Sequence, residues 1–174
     1  GCASTETGSE SAPSISQRLW PDVDPFDPNR SLFIELPSMS YGESQQASNW
    51  CWAACVASTV NGLVGKRVLT QDQVVADLFG GMSPDRGASI EQITNAINGR
   101  QFSVPFEYGG RSMVYTINTV HIVSGLPSWE FLEYIADGNH AAIAVLPGHA
   151  VVVTGASNMP VDSVKTLNID DPWP

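Results

Sequence analysis

Residues 45–64 read QQASNWCWAACVASTVNGLV. From Cys51 to Val64 the run is almost unbroken apolar and small residues, with no internal Pro. It is too long for a typical strand and apolar on nearly every side, which predicts a buried helix over 51–64. Ser48 or Asn49 is expected to cap its start, and Gly65 to end it.

Two more helices follow. Thr70 and Gln73 stand at capping-box spacing ahead of residues 71–79, with Gly80 as the stop; Ser89 and Gln92 repeat the pattern ahead of 90–98, with Gly99 as the stop. The period then changes. Residues 101–108 alternate like a strand, and 111–120 do so less cleanly. A short helix over 129–136, capped by Ser128 and stopped by Gly138, leads into β-branched runs at 141–146, 150–154 and 164–169. Helices first and sheet second is the α+β class.

Composition narrows the partners. The chain has 174 residues, 43% apolar and only 15% charged, with a net charge of −10. Such an acidic chain lacks the positive field that binding nucleic acid requires. No apolar run approaches the length of a transmembrane helix. Residues 1–16 hold no aromatic and are rich in Ser, Thr, Glu and Gly, a composition unable to fold alone. Five of the twelve prolines fall within residues 13–37, interleaved with Trp20, Phe26 and Phe33, which predicts an extended segment lying against the domain. The expected division is a Pro-rich tail over 1–31 and one domain over 32–174.

Three residue groups carry chemistry. Cys51 opens the predicted helix, where the dipole and the free N–H groups favour a thiolate. His149 follows a Pro-Gly turn and begins a strand, in the string GHAVVVTG. An imidazole near Cys51 serves first as base and then as acid. An Asp at the end of the next strand, in LNIDDP, can hold the second ring nitrogen. Gln45, six residues before Cys51, can donate its amide to a developing oxyanion.

The ordered set of Gln, Cys-Trp, His and Asp-Pro resembles the papain-like cysteine peptidases. The strings NWCWAAC, GHAVVVTG and DDP look closer to the compact bacterial branch, which includes a plant-pathogen effector protease and relatives of the double-glycine leader peptidases. The resemblance runs from Gln45 to Pro172. It implies a papain-like α+β fold, with the nucleophile helix of a helical half packed on a C-terminal antiparallel sheet. It implies Cys51 as nucleophile, His149 as base, Asp171 as orienting acid and Gln45 as oxyanion donor. Asp171 is preferred over Asp170 because the branch carries its acid directly before Pro; Asn168 is a lesser candidate. Trp50, Trp52 and Gly148 are the expected substrate contacts, with Trp50 lining the cleft and Trp52 packed on the sheet.

The implied activity is hydrolysis of a peptide or isopeptide bond through a thioester. It needs no cofactor, and the expected partner is a protein or peptide substrate met by a monomer. The sequence departs from the plant-type pattern in three ways. Trp50 replaces the Ser before Cys-Trp. Cys51 and His149 are 98 residues apart, against roughly 130 or more. Relatives also continue with further strands beyond the acid, so a domain cut short at its C-terminus is expected.

Rival readings use the same residues. A transglutaminase or deamidase also runs Cys, His, Asp and attacks Gln side chains. A papain-like fold kept only for binding would carry a broken triad, and here all members are present. Zinc is disfavoured because Cys51 and Cys55 lack a second ligand pair. Cys55 reads as a buried inert thiol, and four-residue helical spacing does not suit a bridge to Cys51. Gly1-Cys2-Ala3-Ser4 resembles the mature start of a bacterial lipoprotein, which implies a lipid anchor at Cys2 and an extracytoplasmic location.

Overall fold

The computed structural model describes residues 32–35 (backbone only), 41–105, 111–118, 125, 128, 131–132, 135, 140–159 and 164–174. The predicted tail, with Cys2, lies outside the described residues. Among the described residues the elements in chain order are β1 (Leu32–Glu35), α1 (Cys51–Val64), α2 (Gln71–Leu78), α3 (Ile90–Ile97), β2 (Arg100–Pro105), β3 (Ser112–Ile117), β4 (Ala142–Leu146), β5 (His149–Met159) and β6 (Val164–Asp170). Helices followed by antiparallel sheets make the chain α+β.

Helix α1 spans the range its composition predicts. Twelve of its fourteen residues are buried, so it runs through the centre of the molecule. Trp52, Val56 and Val60, spaced four apart, are each 2% exposed or less. Burying side chains of this size contributes roughly 1.5–3 kcal/mol apiece. Gly65 ends the helix at φ +70°, a left-handed conformation that glycine adopts without a Cβ clash. Its start differs from expectation. The N-cap is Trp50, and no side chain caps the first turn. Ser48 and Asn49 are drawn elsewhere: the Ser48 carbonyl accepts from Gln45 and the Asn49 amide donates to the Asp85 carbonyl.

Both capping boxes form. Thr70 Oγ1 accepts from Gln73 N–H at 3.3 Å while Gln73 Oε1 accepts from Thr70 N–H at 2.9 Å. Ser89 and Gln92 repeat this at 3.2 and 2.9 Å. Phe131, Leu132 and Ile135 are helical, and the Ser128 hydroxyl accepts from Phe131 N–H at 3.2 Å, as a cap should.

Strand β5 is the spine of the main sheet. It extends to Met159, five residues beyond the predicted end at 154, because β1 and β6 both pair with its second half. β6 pairs with residues 152–159, β4 with 149–153 and β1 with 155–158, all antiparallel. β6 therefore takes one edge, while β4 and β1 share the other end to end. The Leu-Phe-Ile-Glu run of β1 is a paired strand rather than merely an extended segment. Residues 150–153 are all 4% exposed or less, since the strand is covered on both faces. Ala150 and Val152 cluster with α1, and Val153 with Ile135 and Phe131. That double cover explains an unalternating AVVV run. β2 and β3 form a separate hairpin whose Phe102, Val104, Tyr115 and Ile117 pack on the α1 cluster.

Candidate active site

Cys51 is the first residue of α1 and is 9% exposed. Ala54 N–H makes the first helical bond, to Trp50 O at 2.9 Å. With no side-chain cap, the first-turn N–H groups beside Cys51 have no side-chain acceptor. Cys55, one turn on, is fully buried. Desolvation pushes its thiol far up, and charge from Cys51, Asp170 and Asp171 adds to the shift. Cys55 is thus an inert thiol, and the two acids lie near the first turns of α1. Both cysteines are free.

His149 opens β5, and its Nε2 meets Asp171 Oδ1 at 2.8 Å. Asp171 also accepts from Trp173 N–H at 2.9 Å. These bonds, Trp173 first, hold the carboxyl below the ordinary Asp range against a smaller opposing effect of desolvation. The Trp173 indole stands edge-on to the His149 ring, centroids 6.1 Å apart.

The register explains why Asp171, and not Asp170, is the partner. Val152 opposes Asp170, which sets Asp171 level with Val151, two residues from His149 and on its face. Asp170 points to the other face, where a Cβ on Gly42 would stand 2.4 Å from its Oδ2. This register depends on a β-bulge. Between Val153 and Gly155 the pairing slips, so Thr154 is the extra residue of β5. Had the pairing of Gly155 with Asn168 continued unslipped, Asp171 would oppose Val152 and turn away from His149.

The segment leading into α1 is zipped to the segment leaving β6. Gln45 N–H donates to Pro172 O at 2.7 Å. The Gln45 side chain, expected to face an oxyanion, is turned onto its own loop. Its Nε2 donates to Ala47 O at 3.0 Å and Ser48 O at 2.9 Å. Its Oε1 is buried without a hydrogen-bond partner.

Trp50 and Trp52 are 6% and 2% exposed. Trp50 Nε1 donates to Pro84 O at 2.9 Å, and Trp52 Nε1 to Arg86 O at 3.2 Å. Trp52 packs edge-on to Phe79, ring centroids 6.4 Å apart. The indole expected to line a cleft and the one expected on the sheet thus both anchor the loop between α2 and α3. Gly148 is exposed and holds φ +78° in the turn that sends the chain back from β4 into β5.

The structure therefore joins His149 to Asp171, seats the α1 cluster against β5, and ties Gln45 to Pro172. It forms no hydrogen bond between Cys51 Sγ and the His149 ring. In ligand-free sites such catalytic bonds are often long and tighten only with substrate. Among the described residues, no three of His, Cys, Asp and Glu gather as metal ligands. No helix there is long and apolar enough to cross a membrane. Sequence reasoning missed Trp173, whose only signal was an aromatic two residues past the acid, and the loop of residues 80–87. No family model matches the chain, and no curated protein matches it.

Proposed function

We propose that this protein is a papain-like cysteine peptidase whose nucleophile is Cys51. The observation that carries the reading is the His149–Asp171 pair at 2.8 Å, in a chain whose uncapped helix start bears a cysteine and whose approach to that helix is tied to the Asp171 segment by Gln45 N–H to Pro172 O. With Nε2 held by Asp171, Nδ1 is the ring atom left to exchange protons with the thiol. Cys51 gives its proton to Nδ1, and sulfur attacks the substrate carbonyl. The tetrahedral oxyanion is met by backbone N–H groups at the start of α1. The C–N bond then breaks as Nδ1 returns the proton to the leaving amine. Water, deprotonated by the same nitrogen, hydrolyses the thioester and frees Cys51. Gln45 joins the oxyanion site only after its amide leaves the Ala47 and Ser48 carbonyls.

An epoxide inhibitor of papain-type enzymes, followed by peptide mapping, tests this reading. Modification should concentrate on Cys51, far faster than on Cys55, and vanish in Cys51→Ala. Equal slow labelling of all cysteines would mean that no activated thiolate exists.

A further inference from the structure

The loop of residues 80–87 crosses the start of α1, and four bonds hold it there, one of them from Asn49 Nδ2 to Asp85 O at 3.4 Å. Asn49 N–H donates to Asp85 Oδ1 at 2.7 Å. Trp50 Nε1 donates to Pro84 O at 2.9 Å, and Trp52 Nε1 to Arg86 O at 3.2 Å. The donors flank Cys51 on both sides in sequence. Two of the four donors are buried indoles.

This fixed loop presents two opposite charges, and their surroundings differ. The Arg86 guanidinium lies 4.6 Å over the Phe79 ring, an aromatic face that attracts the cation. Asp85 is exposed and has no cationic partner among the described residues. The ion pairs there join Arg67 to Glu43 and Arg100 to Asp77, and the third such contact is the His149 ring on Asp171. Successive Cα atoms are 3.8 Å apart, so Asn49 and Cys51 are within about 7.6 Å of each other. The carboxylate bonded to Asn49 N–H is consequently about 10 Å or less from the nucleophile's backbone, about three residues of extended peptide.

We infer that Asp85 is a specificity-determining residue that selects a Lys or Arg side chain within about three residues of the bond attacked by Cys51. The inference rests on the peptidase reading. A carboxylate pre-set by a backbone N–H loses little freedom on meeting a cation, and the net charge of −10 adds to the attraction.

The test uses peptidyl ketone probes with one warhead and either Arg or Glu beside it, and follows the rate of Cys51 modification by mass spectrometry. Asp85→Asn keeps an acceptor for Asn49 N–H and removes only the charge; Asp85→Lys reverses it. In the wild type the Arg probe should label Cys51 roughly tenfold faster than the Glu probe at about 0.01 M salt, and nearly equally at about 1 M, where screening reaches about 3 Å. Asp85→Asn should bring the ratio close to one, and Asp85→Lys should invert it. Fast Cys51 labelling with the same ratio in all three proteins would overturn the role of Asp85 and leave the peptidase reading standing. Labelling of Cys51 no faster than of Cys55 by either probe would overturn both.

Discussion

Replacing Asn61 by Leu tests whether one buried amide holds the turn after α1. Asn61 is fully buried. Its Oδ1 accepts from Val68 N–H at 2.7 Å and Leu69 N–H at 2.9 Å, and its Nδ2 donates to Leu69 O at 2.9 Å. Leu69 is 4% exposed, so neither of its backbone groups can turn to water instead. Each buried group left unpaired costs about 1–3 kcal/mol. Val68 is half-buried and recovers part of its loss through water. The sum is about 3–6 kcal/mol, against a typical domain stability of about 5–15 kcal/mol. Urea unfolding followed by fluorescence of the five tryptophans measures it. Asn61→Asp provides the control. Its protonated carboxyl both donates and accepts, whereas the buried anion accepts from Val68 and Leu69 N–H but cannot donate to Leu69 O and is costly to desolvate, so its deficit should shrink from about pH 8 to about pH 4. A deficit below about 1 kcal/mol for Asn61→Leu would show that this network does not hold the turn.

Three further outcomes follow from the site. Asp171→Ala should lower turnover by about a hundredfold, the scale of misplaced general acid–base groups, while leaving stability nearly unchanged because Asp171 is exposed; matched kinetics and unfolding curves separate the two. The Asp171 carboxyl titrates below the ordinary Asp value of about 3.9, so its stabilisation is complete above that value and is lost as pH falls through the lowered one. The His149 Nε2 resonance should accordingly keep its Asp171-bonded signature down to about pH 4; its loss near neutrality would contradict the geometry. Trp50→Phe keeps the ring but frees the Pro84 carbonyl, which should cost about 1 kcal/mol and speed proteolysis within residues 80–87; an unchanged cleavage rate would count against the anchoring role.

Much of this architecture is legible in the chain because local signals and burial agree. The apolar run of α1, its terminal glycine and the two capping boxes each name their own boundaries. What stays hidden depends on distant partners. Gln45 carries the right amide, but nothing in its neighbours says that Ala47 and Ser48 will accept both of its N–H groups. Trp50 and Trp52 read as large apolar side chains; their N–H groups reveal a role only once residues 84–86 arrive from 34 positions away. The Asp171 carboxylate is preferred on a resemblance, while the physical reason for its meeting His149 is a pairing slip that no local pattern announces. Trp173 is likewise an unremarked aromatic until the sheet folds it over the imidazole.

That slip makes the site sensitive to residue count as well as residue type. Removing Thr154 would let Val153 and Gly155 pair in sequence with Ile169 and Asn168, so the ladder closes and His149 keeps Asp171. Removing Ile169 from the facing strand does the reverse: Asp170 moves opposite Val153, and Asp171 moves opposite Val152 onto the wrong face. One strand thus tolerates a single-codon loss that its neighbour cannot. Length variation at this site should be confined to β5.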